Sequence, residues 1–179
     1  MVILASRKVV LSLMLATICL RPLAVARFAN PVFARLVARM SSTDTEVTAI
    51  KSLITSMIAD NMKTEKTAAA WAATFDKYYV PTCQVIRPSG NPMSLDMYKG
   101  MLASEDVVLT SSELLSIDDV KIFGGGNAAL AVYTTHDKFT YKGTPNDDRA
   151  VFSAVFDKTH AGWKVIHAHR ATGQAPEQK

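Results

Sequence analysis

The chain has 179 residues, enough for one domain of ordinary size and an appendage. Its net charge of +4 is placed unevenly: all 16 acidic residues lie at or after Asp44, while six of the 20 basic ones precede it. The first 43 residues therefore carry +6, and the remainder sets 14 basic against 16 acidic residues, a net of −2. That mild acidity excludes nucleic-acid binding as the meaning of the high isoelectric point. Cys83 is the sole cysteine after the basic segment, which excludes an internal disulfide or a thiolate metal cluster there.

Residues 1–42 have the composition of a targeting leader. Val9 to Leu20 is an apolar run behind Arg7 and Lys8, and Ala24-Val25-Ala26 suits secretory cleavage. Arg27, Arg35 and Arg39 then recur at multiples of four, as in an amphipathic organellar presequence, and Arg39-Met40-Ser41 resembles an organelle protease site. A bipartite leader accommodates both halves, and the expected destination is an organelle, mitochondrion or plastid. The alternatives are the secretory pathway, or the cytoplasm if Met40 is the true start. The apolar run falls short of a membrane span, so no membrane association is expected of the mature form.

Thr43 and Glu46 have capping-box spacing. Val47, Ile50, Leu53, Ile54, Met57 and Ile58 then predict an amphipathic helix over about Asp44 to Ala59. A second helix near Glu65 to Tyr79 has the inner stripe Trp71, Phe75 and Tyr78 or Tyr79, and Pro81 ends it. Cys83 to Arg87 reads as a short strand closed by Pro88-Ser89-Gly90-Asn91-Pro92, and Ser94 caps a third helix to Leu102. Strands follow over Leu114 to Phe123, Ala128 to Tyr141, Arg149 to Asp157 and Trp163 to Thr172. The expected turns are Gly124 to Asn127, Gly143 to Asp147 and His160 to Gly162. Residues 174–179 are expected to be a disordered tail. Helices first and a meander of long strands after them is an α+β arrangement, with the helices covering one sheet face.

The aromatic stripe Trp71, Phe75, Tyr79 runs into Thr82 to Arg87 and Pro88-Ser89-Gly90. The chain then closes on Gly162-Trp163-Lys164-Val165-Ile166-His167-Ala168-His169. Residues 43–173 thereby resemble the NTF2-like (SnoaL-like) superfamily, which includes ketosteroid isomerases, the association domain of calmodulin-dependent kinase and iota-type carbonic anhydrases. The resemblance implies a cone, with three N-terminal helices packed on a strongly curved, antiparallel-rich sheet. It does not imply one function, since this fold hosts isomerases, dehydratases, cyclases and non-catalytic modules. In the isomerases an Asp-Pro-x-Gly supplies the general base. Here Arg87-Pro88-Ser89-Gly90 stands in its place, and a guanidinium cannot take up a proton. Matching the carbonic-anhydrase ending from Trp163 puts the pocket histidine at His169, with Ala171 where that family has its second Ser.

His167 and His169 lie two apart on one strand and are expected to share a side with Val165. The resemblance implies that this side faces the pocket, with His169 as an acid/base candidate and His167 lining the wall. Arg87 is expected to point inward and to meet either an anionic ligand or a structural partner, Asp147 or Asp148. Trp71 and Tyr133 are further ligand-binding candidates. Tyr133, Thr135, Asp137, Phe139 and Tyr141 share one strand face, and Met57, Met62, Met93, Met97 and Met101 are adaptable apolar lining. The expectation is a homodimer, joined through the outer sheet face, that binds a small anionic molecule. No cofactor and no metal is assigned. An acid/base lyase or isomerase is one reading, and a non-catalytic association module is the alternative.

Overall fold

The computed structural model of the protein describes residues 31–159 and 162–173. Three helices pack on one face of a six-stranded sheet. The elements are α1 (Pro31–Lys63), α2 (Ala68–Tyr78), β1 (Tyr79–Ile86), β2 (Pro92–Ser94), α3 (Leu95–Ala103), β3 (Val107–Phe123), β4 (Ala128–Tyr141), β5 (Thr144–Thr159) and β6 (Gly162–Thr172). The sheet order is β2-β1-β6-β5-β4-β3, and every neighbouring pair is antiparallel except β1 with β6. This is the expected α+β class, reached by the expected order of helices and strands. The secretory readings and the tail at residues 174–179 lie outside the described residues.

The first helix departs from expectation at its start. Thr43 lies within α1, which begins at Pro31, so it does not cap the helix. The partner half of the supposed capping box is used elsewhere. Glu46 accepts bonds from Lys158 Nζ (2.5 Å) and from the Trp163 indole N–H (2.8 Å), tying α1 to β5 and β6. Ile50, Ile54, Met57 and Ile58, one stripe of α1, are buried as their spacing requires. The other two helices start on their caps: Thr67 accepts from the Ala70 amide and Ser94 from the Met97 amide.

Phe75 holds the aromatic stripe together, with ring centroids 5.8 Å from Trp71, 4.8 Å from Tyr79 and 5.5 Å from Tyr98 on α3. Beneath it the core is closed by small residues of the sheet, Ala129, Ala131 and Ala154, which let the helices approach. Three irregularities in the β3–β4 register, between Leu109 and Ser111, Leu114 and Ser116, and Ile117 and Asp119, each leave an extra residue on β3. Bulges of this kind bend a strand and increase its twist, which curls the sheet around the helices.

Two details of register decide what faces inward. The β4–β5 turn is only Lys142-Gly143, with both φ positive at 50° and 77°, the backbone of a type I′ hairpin. The sequence Gly-Thr-Pro-Asn-Asp reads as a longer turn, yet Thr144 to Asp147 belong to β5. Pro145 fits because its partner Thr140 is one step beyond the closing pair Tyr141–Thr144. There the ladder alternation asks for no inter-strand N–H from it. The second detail is a bulge in β6. Val155 pairs with His167 while the next residue, Phe156, pairs with Val165, so Ile166 is the extra residue.

Candidate functional site

Between the helices and the concave sheet face lies a cavity of about 430 Å³, within the range of small-molecule sites. α1 supplies Met57, Ile58 and Asn61, α2 supplies Trp71, and α3 supplies Tyr98, Met101 and Leu102. From the sheet come Tyr79 and Val85 on β1 with Arg87 just after it, Tyr133, Thr135 and Asp137 on β4, Asp148 and Phe152 on β5, and Arg170 on β6. Met57 and Met101 line the cavity as anticipated, whereas Met97 is 63% exposed.

The β6 bulge corrects the reading of the two histidines. Trp163 and Val165 are buried, and after the extra residue the buried set resumes at Ala168 and continues as cavity-lining Arg170 and Thr172. His167 and His169 therefore fall on the opposite face from Val165, and neither lines the cavity. His169 is exposed. The acid/base role expected of His169, and the pocket-lining role of His167, have no place inside this cone. The inserted residue inverts the two-residue alternation on which both rested.

Arg87, Trp71 and Tyr133 do line the cavity. Arg87 is half-buried and sits just beyond β1, where the Pro-Ser-Gly turn closes on it with Gly90 N–H to Arg87 C=O at 2.8 Å. The structural partners foreseen for it are engaged elsewhere. Asp147 pairs with His136 and Lys138, and Asp148 pairs with Arg170 (3.1 Å). Among the described residues no carboxylate forms an ion pair with Arg87. Its Nε is buried without a hydrogen-bond partner, and so is the Nε1 of Trp71. A buried donor without an acceptor costs about 1–3 kcal/mol. Both residues line the cavity, so each unsatisfied donor belongs to a side chain that borders it.

Arg170 is the group that the sequence reading missed. It follows His169 on β6, as Arg87 follows Ile86 on β1, and Ile86 and His169 are paired across the two strands. Arg170 donates to Asp137 (3.3 Å) and Asp148 (3.1 Å) and lies over the rings of Phe139 and Phe152, at 5.7 and 6.0 Å. Asp137 also accepts from Ser112 (2.7 Å) and Thr135 (3.0 Å), so its carboxylate is well satisfied. Had the bulge been foreseen, the parity of β6 would have put Arg170 inside in place of the histidines.

The lining also includes three phenols, Tyr79, Tyr98 and Tyr133. Tyr133 stacks on Phe152 with centroids 5.0 Å apart and planes at 3°. Burial raises Tyr133, Tyr79 and Tyr98 above the usual tyrosine range, so all three stay protonated at neutral pH. The cavity thus offers neutral hydroxyls, a guanidinium with no ion-pair partner among the described residues, and an Asp–Arg–Asp group with one negative charge in excess, within an apolar surround. Among the described residues no group of three or more His, Cys, Asp or Glu is arranged to hold a metal ion.

A sheet curled around three helices, with its cavity at the concave face, is the architecture of the NTF2-like or cystatin-like proteins. The chain belongs to the family described as "Protein of unknown function (DUF3804)", which matches residues 46–177. An NTF2-like protein of unknown function from Prochlorococcus marinus is 35% identical. The match covers 62% of this chain and 85% of that one, with a TM-score of 0.54. A putative calcium/calmodulin-dependent kinase II association domain from Exiguobacterium sibiricum shares the fold at 14% identity. It covers 71% of this chain and 92% of that one, with a TM-score of 0.58. An NTF2-like protein from Cytophaga hutchinsonii shares it at 15% identity, covering 73% and 97%, with a TM-score of 0.55. No curated protein matches the chain.

Proposed function

We propose that the cone binds a small anionic molecule with an apolar body, seated by Arg87. The observation that carries this is Arg87, which lines the cavity and forms no ion pair with a carboxylate among the described residues. An isolated cation held against an apolar wall is costly, and an anion that accepts from it relieves the cost with a charged hydrogen bond. Arg170 does not compete for that role, because Asp137 and Asp148 engage its guanidinium. If turnover occurs, its proton-transfer group is to be sought among the cavity carboxylates and phenols rather than at His169. Untargeted mass spectrometry of molecules that co-purify with the protein tests the reading. An organic anion retained by the unaltered protein and lost from Arg87→Met is the expected result, and identical profiles would count against it.

A second reading is association. The Exiguobacterium protein is described as a putative association domain, and on the strands of this chain Val151 and Ile166 are 41% and 37% exposed. We propose that the outer sheet face joins two copies of the chain. The two readings are compatible, since the cavity and this face lie on opposite sides of the sheet. Removal of residues 1–42 in an organelle remains our proposal for the leader.

A further inference from the structure

The cavity has a second recognition point, and it asks for the opposite kind of group. Asp148 lines the cavity on β5. Arg170 donates to its Oδ2 at 3.1 Å, and among the described residues Oδ1 accepts no hydrogen bond. The carboxylate is 27% exposed, and its cross-strand neighbour Asp137 differs in being saturated by Ser112, Thr135 and Arg170. A carboxylate oxygen is an acceptor only. Arg170 fixes the head group from one side, so the free oxygen is a preoriented acceptor rather than a mobile surface group.

We propose that the cavity recognises hydroxylated carboxylates: the carboxylate accepts from Arg87, and a hydroxyl at the far end of an apolar body donates to Asp148. The inference rests on the anion reading above and adds the second polar group that the ligand must carry. Tyr133 and Phe152, stacked on each other, also line the cavity, and their rings suit an unsaturated or aromatic body. A carboxylate lacking the hydroxyl leaves the Asp148 oxygen desolvated and unpaired, and a buried polar group without its partner is the strongest means of rejecting an analogue. A dicarboxylate is rejected for a different reason, since its second charge would meet Asp137 and Asp148.

Calorimetric titration with matched probes of two lengths tests this on the full chain. The pairs are benzoate with p-hydroxybenzoate and cinnamate with p-coumarate, each on the unaltered protein and on Asp148→Asn. The hydroxyl should improve affinity about tenfold at the length that spans the cavity, the worth of one hydrogen bond to a charged group. Asp148→Asn should remove that gain, in part by tightening the unhydroxylated member, which no longer desolvates an unpaired charge. No gain at either length, or a gain that survives Asp148→Asn, overturns the proposal. The matched pairs on the unaltered protein decide the matter by themselves if the variant fails to fold. Failure of the anion reading looks different: p-coumaryl alcohol, which has the hydroxyl and no carboxylate, would bind as tightly as p-coumarate.

Discussion

Asp137 and Asp148 stand directly opposite each other across β4 and β5, and one guanidinium, that of Arg170, donates to both. Like charges in this position destabilise a strand pair. Here Arg170 turns the repulsion into a bridge from β6 to β4, spanning the strand between them. All three side chains are largely shielded, at 15%, 11% and 27% exposure. Arg170→Met should therefore lower stability by about 3 kcal/mol, as breaking a buried ion pair does, read from urea denaturation midpoints. Adding Asp148→Asn to that variant should recover part of the loss, because the repulsion goes with the charge. An Arg170→Met protein as stable as its parent would mean that the bridge is weak.

The link from α1 to the end of the sheet should show in the acid limb of stability. Bonds from Lys158 and the Trp163 indole hold Glu46 below its ordinary value of 4.5. A carboxyl whose folded pKa is depressed stabilises the fold fully above that ordinary value, and the contribution drains away as pH falls through the folded pKa. Asp60, bonded by Lys77 and Tyr78, and Asp147, bonded by His136, act with the same sign. Glu46→Gln should accordingly unfold at lower temperature than the parent near neutral pH, and the gap should narrow at about pH 3. A gap that stays constant across this range would remove the Glu46 charge from the account.

Much of this fold was legible because its signals are local. The stripe of α1 from Ile50 to Ile58, the cap at Ser94 and the β4 alternation from Tyr133 to Phe139 each depend on residues a few positions apart. The same alternation put Tyr133 on one face with Thr135 and Asp137, a face that lines the cavity, and Arg87 was singled out through the family resemblance, by its place before Pro88-Ser89-Gly90. The orientation of His167 and His169 was not legible. It depends on one inserted residue, Ile166, whose only signature is the pairing of Val155 and Phe156 on another strand. Arg170 was missed for the same reason, being one residue out of phase with an assumed regular strand. Asp148 fell between the expected turn, Gly143 to Asp147, and the strand expected from Arg149, whereas a type I′ turn at Lys142-Gly143 brings it into the ladder.

The outer face of the sheet supports a prediction about assembly. Val151 and Ile166 present apolar surface there, which favours burial against a partner of like character. Light scattering should give twice the chain mass at micromolar concentration. Val151→Glu should halve it, by placing a charge in the contact. A strict monomer before substitution would dismiss the dimer and leave the cavity argument intact.

Arg87 as the seat of an anion is the central claim, and calorimetric titration with cinnamate tests it most directly. The unaltered protein should bind cinnamate and should prefer it to cinnamyl alcohol, which has the same body without the charge. Arg87→Met keeps much of the side chain's apolar stem and removes the guanidinium. It should weaken cinnamate by about 1.5–3 kcal/mol, the worth of a hydrogen bond to a charged group, and abolish the preference over the alcohol. Equal cinnamate affinity in the two proteins would contradict the claim.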